Sequence, residues 1–391
     1  MNSMEKRLLI LSEYYLDDKS PISNCINSLL DGFDLNDLCY DLICFGNDNY
    51  SIERGKNIIH VVKYRNYVKN YFHRLINWPI NNNVDINKMY EVSSDIIKKK
   101  QINCIFAVHC NYVSIKVALM LKTNITKVLY LLDPISSKHD KYYLGYKRIL
   151  FPLIIFKEFN AFLKFNYILC MKSMLNKYNN SYFKLFKNKI NYVDFPLIQD
   201  LSVKLVTDNK IKISEYKFIL FGSLSKKIRS PLYFIELFKK LFKVRHYCVD
   251  LYIEGDCFDL FNIQNTELIF NNCKYIDKNS LLQKFCNYDY FINVGNSIID
   301  MLPSKIFQMF MTGKPIIHFA KSKEDCCNEY MESYGNALII YEEDDLDYSL
   351  NRLLEFLKDY KIVPIEKVKE IFKENTPEYQ ANLIKELVLD N

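Results

Sequence analysis

The stretch Asn293 to Phe319, NVGNSIIDMLPSKIFQMFMTGKPIIHF, is compatible with few folds. The apolar run from Tyr288 to Val294 reads as a buried strand. It breaks off at Gly295-Asn296, where a chain leaving the carboxyl edge of a parallel sheet would carry binding groups. Pro303 has no N–H to leave unsatisfied at a first helical position, so the spacing predicts a helix from about there. The free N–H groups of Ser304 and Lys305, the positive end of the helix dipole and the Lys305 ammonium would then face that same edge, an arrangement suited to phosphate. Gly313-Lys314-Pro315 stops the helix, and Ile316 to Phe319 returns to the sheet.

The same alternation runs along the rest of the chain. Between Lys6 and Pro196 the runs LLILSEYY, YDLICFG, IIHVVKY, CIFAVH, KVLYLLD, YILCM and INYVDFP are interleaved with helical patterns near Ser23 to Leu30, Ile86 to Lys99 and Tyr112 to Leu121. Short apolar runs separated by helices mean a parallel sheet covered on both faces. Asp200 to Glu215 is polar and poor in large apolar residues, as an interdomain linker would be. The alternation resumes with YKFILFG, a helix from Pro231 to Phe242, VDLYIEG, ELIFNNCKYID, a helix from Ser280 to Phe285, YDYFINV, the unit above and ALIIYEE. The expected fold class is α/β, with two consecutive Rossmann-like doubly wound domains facing across a cleft. Residues 1–198 form the first and 215–362 the second, and 363–391 is a helical segment that could pack back on the first.

A chain of 391 residues supplies enough surface to bury for two such cores. Its 52 Lys and Arg against 46 Asp and Glu leave a net charge of +6, a mild excess that suits anionic ligands or an anionic membrane surface and does not require nucleic acid. The 12 cysteines include no C-x-x-C pair, which reads as packed, reduced thiols of a cytoplasmic protein rather than a zinc site. The N-terminal run is too short for a secretory signal and meets acidic residues at once, so it reads as the first strand. No apolar run reaches the ~18 residues of a membrane span.

Three further strand ends carry candidate binding groups. YKFILFG ends at Gly222, whose missing side chain lets a ligand approach the backbone, and Ser223 follows. A basic loop, Lys226-Lys227-Ile228-Arg229, leads to Ser230 as a candidate N-cap and Pro231 as a first helical residue. Arg229 would then stand before a second helix start on the same edge as Lys305, and the pair would suit a pyrophosphate: a planar fork from one side and a point charge from the other. The competing reading of the loop is a solvated basic turn. Glu254-Gly255 ends VDLYIEG, and Tyr275-Ile276-Asp277 is placed where a ring or backbone amide could meet a nucleobase, although Tyr275 also fits a packing role.

Gly222-x-Leu224, Arg229-x-Pro231, Glu254-Gly255, Pro303-Ser304-Lys305-Ile306-Phe307 and Thr312-Gly313-Lys314-Pro315-Ile316-Ile317 resemble bacterial GT-B glycosyltransferases of the polysaccharide and capsule-building kind, over roughly residues 215–345. The resemblance implies a nucleotide-diphosphate sugar as substrate, held mainly by the second domain, with Arg229 and Lys305 on the diphosphate. Gly222, Ser223, Glu254, Tyr275, Ile276, Asn296, Ser304 and Gln308 would surround it. It also implies no bound metal and no cofactor, because cationic side chains and a helix dipole take the cation's place. One departure stands out: many members of family 4 carry two glutamates where this chain has Asp300 and Gln308. Gln308 can still hydrogen-bond ribose hydroxyls without bringing charge.

The first domain would face the acceptor, a glycan hydroxyl or a lipid-linked oligosaccharide. Its strand-end candidates are Glu13, the Pro21-Ile22-Ser23-Asn24 loop, His109 and Asp133-Pro134. An inverting enzyme would need His109 or Asp133 as base, whereas a retaining one would use the donor phosphate. His109 also fits a structural, hydrogen-bonded role, and Asp133 a turn cap. Lys141 to Phe165, KYYLGYKRILFPLIIFKEFNAFLKF, fits either an interfacial basic-aromatic helix at the inner face of the plasma membrane or a core helix interrupted at Pro152. Two other functions fit the same architecture: a nucleotide-sugar epimerase, and a non-catalytic subunit that binds glycan or a partner.

Overall fold

The computed structural model describes residues 6–15, 21–64, 85–109, 112–136, 151–200, 216–245, 247–261, 269–273, 276 and 278–389. Two compact units divide the chain: Met1–Leu197 together with Glu374–Asn391, and Ile198–Lys373.

The first unit is built on β1 (Arg7–Leu11), β2 (Cys39–Gly46), β3 (Tyr50–Arg54), β4 (Asn57–Lys63), β5 (Cys104–His109), β6 (Thr126–Leu131), β7 (Tyr167–Met171) and β8 (Ile190–Val193). They form one sheet in the order β3-β4-β2-β1-β5-β6-β7-β8, parallel except for the β3–β4 hairpin. Every residue of β2 and β5 is buried, as strands covered on both faces must be. Chain order reverses between β1 and β5. Their carboxyl ends therefore splay, and Glu13 and His109, both buried, stand at that opening.

Pro21-Ile22-Ser23-Asn24 is not a loop: it opens the helix Pro21–Leu35, which runs well past the expected Leu30. The last helix, Pro377–Val388, is capped by Thr376 and packs against that first helix. The contact is close because of Gly32, where an added Cβ would meet the Pro377 carbonyl oxygen at 2.2 Å.

Asp41 on β2 is fully buried and takes Arg7 at 3.0 Å, His60 at 3.0 Å and Lys100 at 2.6 Å. Burial alone would raise its pKa, but the bonds from His60 and Lys100 and the Lys100 charge overcome it and hold the carboxyl near about 2. That contribution is complete above the unfolded carboxyl value and is lost as pH falls through about 2. Asp41→Asn is expected to destabilise the protein by about 3 kcal/mol, read as a lower urea midpoint, because three cationic or imidazole donors lose their charge partner. An unchanged midpoint would show that the cluster contributes nothing.

The second unit is built on β9 (Lys217–Leu224), β10 (Cys248–Gly255), β11 (Phe270–Asn272), β12 (Tyr290–Val294), β13 (Ile316–Ala320) and β14 (Ala337–Tyr341). These form an all-parallel sheet in the order β11-β10-β9-β12-β13-β14. The unit's aromatics fill its core: Phe218 stacks on Tyr290 with centroids 5.2 Å apart, and Phe234 meets Phe238 and Phe319 edge-on at 4.8 and 5.3 Å. Chain order reverses between β9 and β12, which puts the crevice of this unit between Gly222 and Gly295.

Candidate anion-binding site

Arg229 spans that crevice. A tight turn, with Arg229 N–H donating to Ser225 O at 2.8 Å, folds the basic loop back over the strand ends. The guanidinium then donates through Nε to Val294 O at 2.9 Å, through Nη1 to Ser223 O at 3.1 Å and through Nη2 to Asn293 Oδ1 at 3.3 Å. It is thereby tied to β9 and β12 at once. All three acceptors are neutral, and among the described residues no carboxylate pairs with Arg229. Of the five N–H groups of a guanidinium, two are left for a ligand. Ser297 ties the neighbouring loop to the same turn, its N–H and hydroxyl both donating to Ile228 O at 2.8 Å.

Lys305 reaches the crevice from the other side. An added Cβ on Gly222 would lie 3.0 Å from Lys305 Nζ and 2.9 Å from its Cδ, so the lysine lies directly over the bare backbone at the end of β9. Gly222 has φ +112°, open to glycine at no steric cost. Lys305 Nζ sits 5.7 Å from the Phe221 ring centroid and makes neither a hydrogen bond nor an ion pair among the described residues. Burial, then the Arg229 charge, push its pKa down to about 8, with the Glu254 carboxyl opposing them. Two neighbouring cations, neither in an ion pair among the described residues, with Glu254 and Asp325 acting on them only at longer range, form a site that an anion would suit.

Two other basic residues of the unit are committed elsewhere. Lys314 is buried and donates to three carbonyls, Phe285 O at 3.0 Å, Cys286 O at 3.1 Å and Tyr288 O at 2.5 Å. Lys226 pairs with Asp259 at 2.6 Å on the surface.

The remaining expected residues divide. Ser223 and Glu254 are register neighbours at the ends of β9 and β10, and Glu254 is near enough to Lys305 to influence its charge. Ser304 and the half-buried Gln308 flank Lys305 on a short helix, Lys305–Phe310, which begins two residues later than the sequence suggests because Ile306 N–H closes a turn onto Pro303 O. Asn296 is not free to face a ligand with its amide, since Nδ2 donates to Met301 O at 2.5 Å and shapes the loop instead. Ser230 caps nothing: the helix starts at Leu232 with Pro231 at its cap, and Lys321 donates to Ser230 O at 2.6 Å. Ile276 is half-buried, and Tyr275 falls outside the described residues. His109 ends β5 and Asp133 follows β6 in the first unit.

Behind Arg229 lies a buried polar cluster that no spacing along the chain announces. Asn293 Nδ2 lies 2.9 Å from His318 Nδ1, and His318 Nε2 faces Asp325 Oδ2 at 3.6 Å. Cys327 N–H donates to Asp325 Oδ1 at 2.9 Å. Asn293 and His318 are register partners on β12 and β13, so their side chains share a face. The signal available in the sequence was one polar residue inside each of two apolar runs. His318, Asp325 and Cys327 bring ligand-type atoms within 4.8 Å of one another. Burial pushes the Cys327 thiol up, Asn293 takes His318 Nδ1, and the Arg229 charge lies close by.

In the first unit, a cavity of about 430 Å³ opens at the ends of β1 and β2, lined by Tyr14, Tyr15, Phe45, Asn47, Tyr50 and Tyr64. Phe45 and Tyr64 stack there at 5.6 Å.

No protein-family model and no curated protein sequence matches the chain. Solved structures do. Sucrose-phosphate synthase from Thermosynechococcus elongatus superimposes with a TM-score of 0.64 at 10% identity, covering 98% of this chain and 96% of that one. The lipopolysaccharide outer core galactosyltransferase WaaB gives 0.61 at 11% identity, covering 99% and 100%. A Listeria monocytogenes protein described as a UDP-N-acetylglucosamine 2-epimerase gives 0.52 at 8% identity, covering 99% and 98%. At these identities the likeness shows the fold: two Rossmann-like units of the GT-B type.

Proposed function

We propose that the chain is a glycosyltransferase that moves a sugar from a nucleoside-diphosphate donor to a hydroxyl of a glycan. The observation that carries this reading is the pair Arg229 and Lys305, two neighbouring cations with no direct ion pair among the described residues, at the crevice of the second unit. A fold shared with a galactosyltransferase and a sugar-phosphate synthase supports the reaction class. In transfer, the bond between the anomeric carbon and the diphosphate oxygen breaks, the acceptor oxygen bonds to that carbon, and the acceptor proton leaves. Negative charge grows on the departing diphosphate. Arg229 and Lys305, held at that crevice, would lower the barrier and supply the charge that a metal ion would otherwise provide, and the Ser304 and Lys305 amides are expected to assist them. For an inverting course Asp133 or His109 is the base, and for a retaining course the donor phosphate takes the proton.

The aromatic cavity of the first unit supports a glycan acceptor, because tyrosine and phenylalanine faces pack against sugar rings while Asn47 offers hydrogen bonds. A nucleotide-sugar panel with release of nucleoside diphosphate as readout tests the reaction. Donor-dependent release stimulated by a glycan supports transfer. Conversion of the donor to a second nucleotide sugar without acceptor would replace it with the epimerase reading, and no binding of any nucleotide would favour a non-catalytic subunit.

We also propose peripheral membrane contact, and with it a lipid-linked acceptor, through the helix Phe151–Lys164. Pro152 stands in its first turn and does not interrupt it; Ile154, Glu158, Ala161 and Phe162 face inward, while Leu153, Phe156 and Leu163 are exposed. Leu185, 77% exposed, and the exposed Lys184 and Lys187 extend the surface. No helix among the described residues is long and apolar enough to cross a membrane. Exposed apolar groups ringed by lysines suit an anionic interface. The protein is expected to cosediment with phosphatidylglycerol vesicles and not with phosphatidylcholine alone, and the double substitution Phe156→Asp, Leu185→Asp is expected to release it at least tenfold. Equal partition of wild type and variant would remove this contact.

A further inference from the structure

We propose that Asn293, His318 and Asp325 are positioning residues that hold the Arg229 guanidinium in place for a diphosphate, through a chain of donors that all point inward, the last of them facing the Asp325 carboxylate. The inference rests on the diphosphate reading above and adds a part of the site that reading does not use.

Direction in this chain is fixed by chemistry. A guanidinium only donates, so Arg229 Nη2 at 3.3 Å requires the oxygen of Asn293. The Asn293 amide nitrogen must then face His318, and it does so at 2.9 Å from Nδ1. Nδ1 is therefore an acceptor, and the single proton of a neutral imidazole sits on Nε2. That nitrogen faces Asp325 Oδ2 at 3.6 Å, just beyond hydrogen-bond distance, and neither atom has a hydrogen-bond partner among the described residues, so the buried carboxylate oxygen is the acceptor that the Nε2 proton faces. The imidazole is fully buried. Burial pushes its pKa down, and the charges of Arg229 and Lys321 add to the effect against Asp325 and the Asn293 backbone, in keeping with a neutral ring.

Asp325 is itself fixed. Its Oδ1 accepts the Cys327 N–H at 2.9 Å, which leaves Oδ2 toward His318. Gly295 makes room for it, since a Cβ there would lie 2.0 Å from Oδ2. The sequence Asn293-Val294-Gly295 thus supplies one link of the chain, one backbone acceptor for Arg229 and the space for the terminal carboxylate.

Reversing the last link should reverse the rest. In Asp325→Asn the amide oxygen must keep the Cys327 N–H, so the amide NH2 faces His318 Nε2. The imidazole proton then moves to Nδ1, Asn293 turns its oxygen toward it, and its nitrogen meets Arg229 donor to donor. Pyrophosphate, which carries no base or sugar, is the probe. We expect calorimetry to give at least a tenfold weaker pyrophosphate affinity for Asp325→Asn than for wild type. Nitrogen-15 NMR should show His318 as the Nε2–H tautomer in wild type and the Nδ1–H tautomer in the variant. A role in packing alone would not move that signature. An Nδ1–H or doubly protonated His318 in wild type overturns the proposal even if the variant does not fold. So does a variant that binds pyrophosphate as tightly as a wild type that binds it. A wild type that fails to bind pyrophosphate overturns the diphosphate reading as well.

Discussion

Lys305→Met is expected to weaken nucleoside-diphosphate binding about a hundredfold while raising the melting temperature of the ligand-free protein. The two effects have one origin. Burial and the neighbouring Arg229 lower the Lys305 pKa from 10.5 to about 8, a shift equivalent to roughly 3 kcal/mol against the charged form in the empty protein. The folded state binds fewer protons than the unfolded one between those two values. Stability at Lys305 therefore rises with pH across that window, and the full penalty is present below about 8. Methionine fills the same space without charge, so part of the penalty disappears. A recovery of about 1 kcal/mol corresponds to about 2–4 °C for a unit of this size.

With diphosphate bound the sign changes, because the anion supplies the missing partner. Loss of a charged contact of about 3 kcal/mol is about a hundredfold in affinity. Binding at pH 8 should also take up a proton, seen as an enthalpy that depends on the ionisation heat of the buffer. Affinity should decline as pH rises above about 8. A variant that binds normally, or binding in wild type that is flat from pH 7 to 9, would remove Lys305 from the site.

Arg229→Lys is expected to fail differently. It keeps the charge and loses the fork, and one ammonium cannot reach Val294 O, Ser223 O and Asn293 Oδ1 together. Acceptors left unpaired in this half-buried place cost about 1–3 kcal/mol, so the urea midpoint should fall along with the affinity. We expect affinity to drop by about thirtyfold, matching loss of a bidentate phosphate contact. Lys305→Met would thus yield a more stable protein that binds weakly, and Arg229→Lys a less stable one that also binds weakly. Wild-type affinity in Arg229→Lys would show that charge without geometry suffices.

Much of this arrangement could be read from local pattern. Strands such as CIFAVH and YFINV are continuous apolar runs because helices cover both sheet faces, and such runs are bounded sharply by polar residues. The helix Ile86–Lys99 coincides with its sequence pattern because Asp85 caps it and two lysines close it. Arg229 and Lys305 were legible because each follows a strand end and stands before a proline or a helix start. The hairpin strand Tyr50–Arg54 was not, since it is an edge strand with no buried face to leave an apolar signature. ELIFNNCKYID reads as a long strand, yet only Phe270–Asn272 pairs in the sheet among the described residues. The donor chain was out of reach for a different reason. Asn293 and His318 meet only through the β12–β13 register, and Asp325 only through a turn after β13, so no spacing along the chain reveals them.

The most direct test is calorimetric titration of wild type at pH 7.5 with uridine, UDP and pyrophosphate, repeated on the Arg229→Lys, Lys305→Met double variant. Measurable affinity for UDP and pyrophosphate, none for uridine, and loss of both by at least a hundredfold in the double variant is the predicted result. Uridine binding as tightly as UDP, or a double variant that binds either phosphate ligand unchanged, would contradict it.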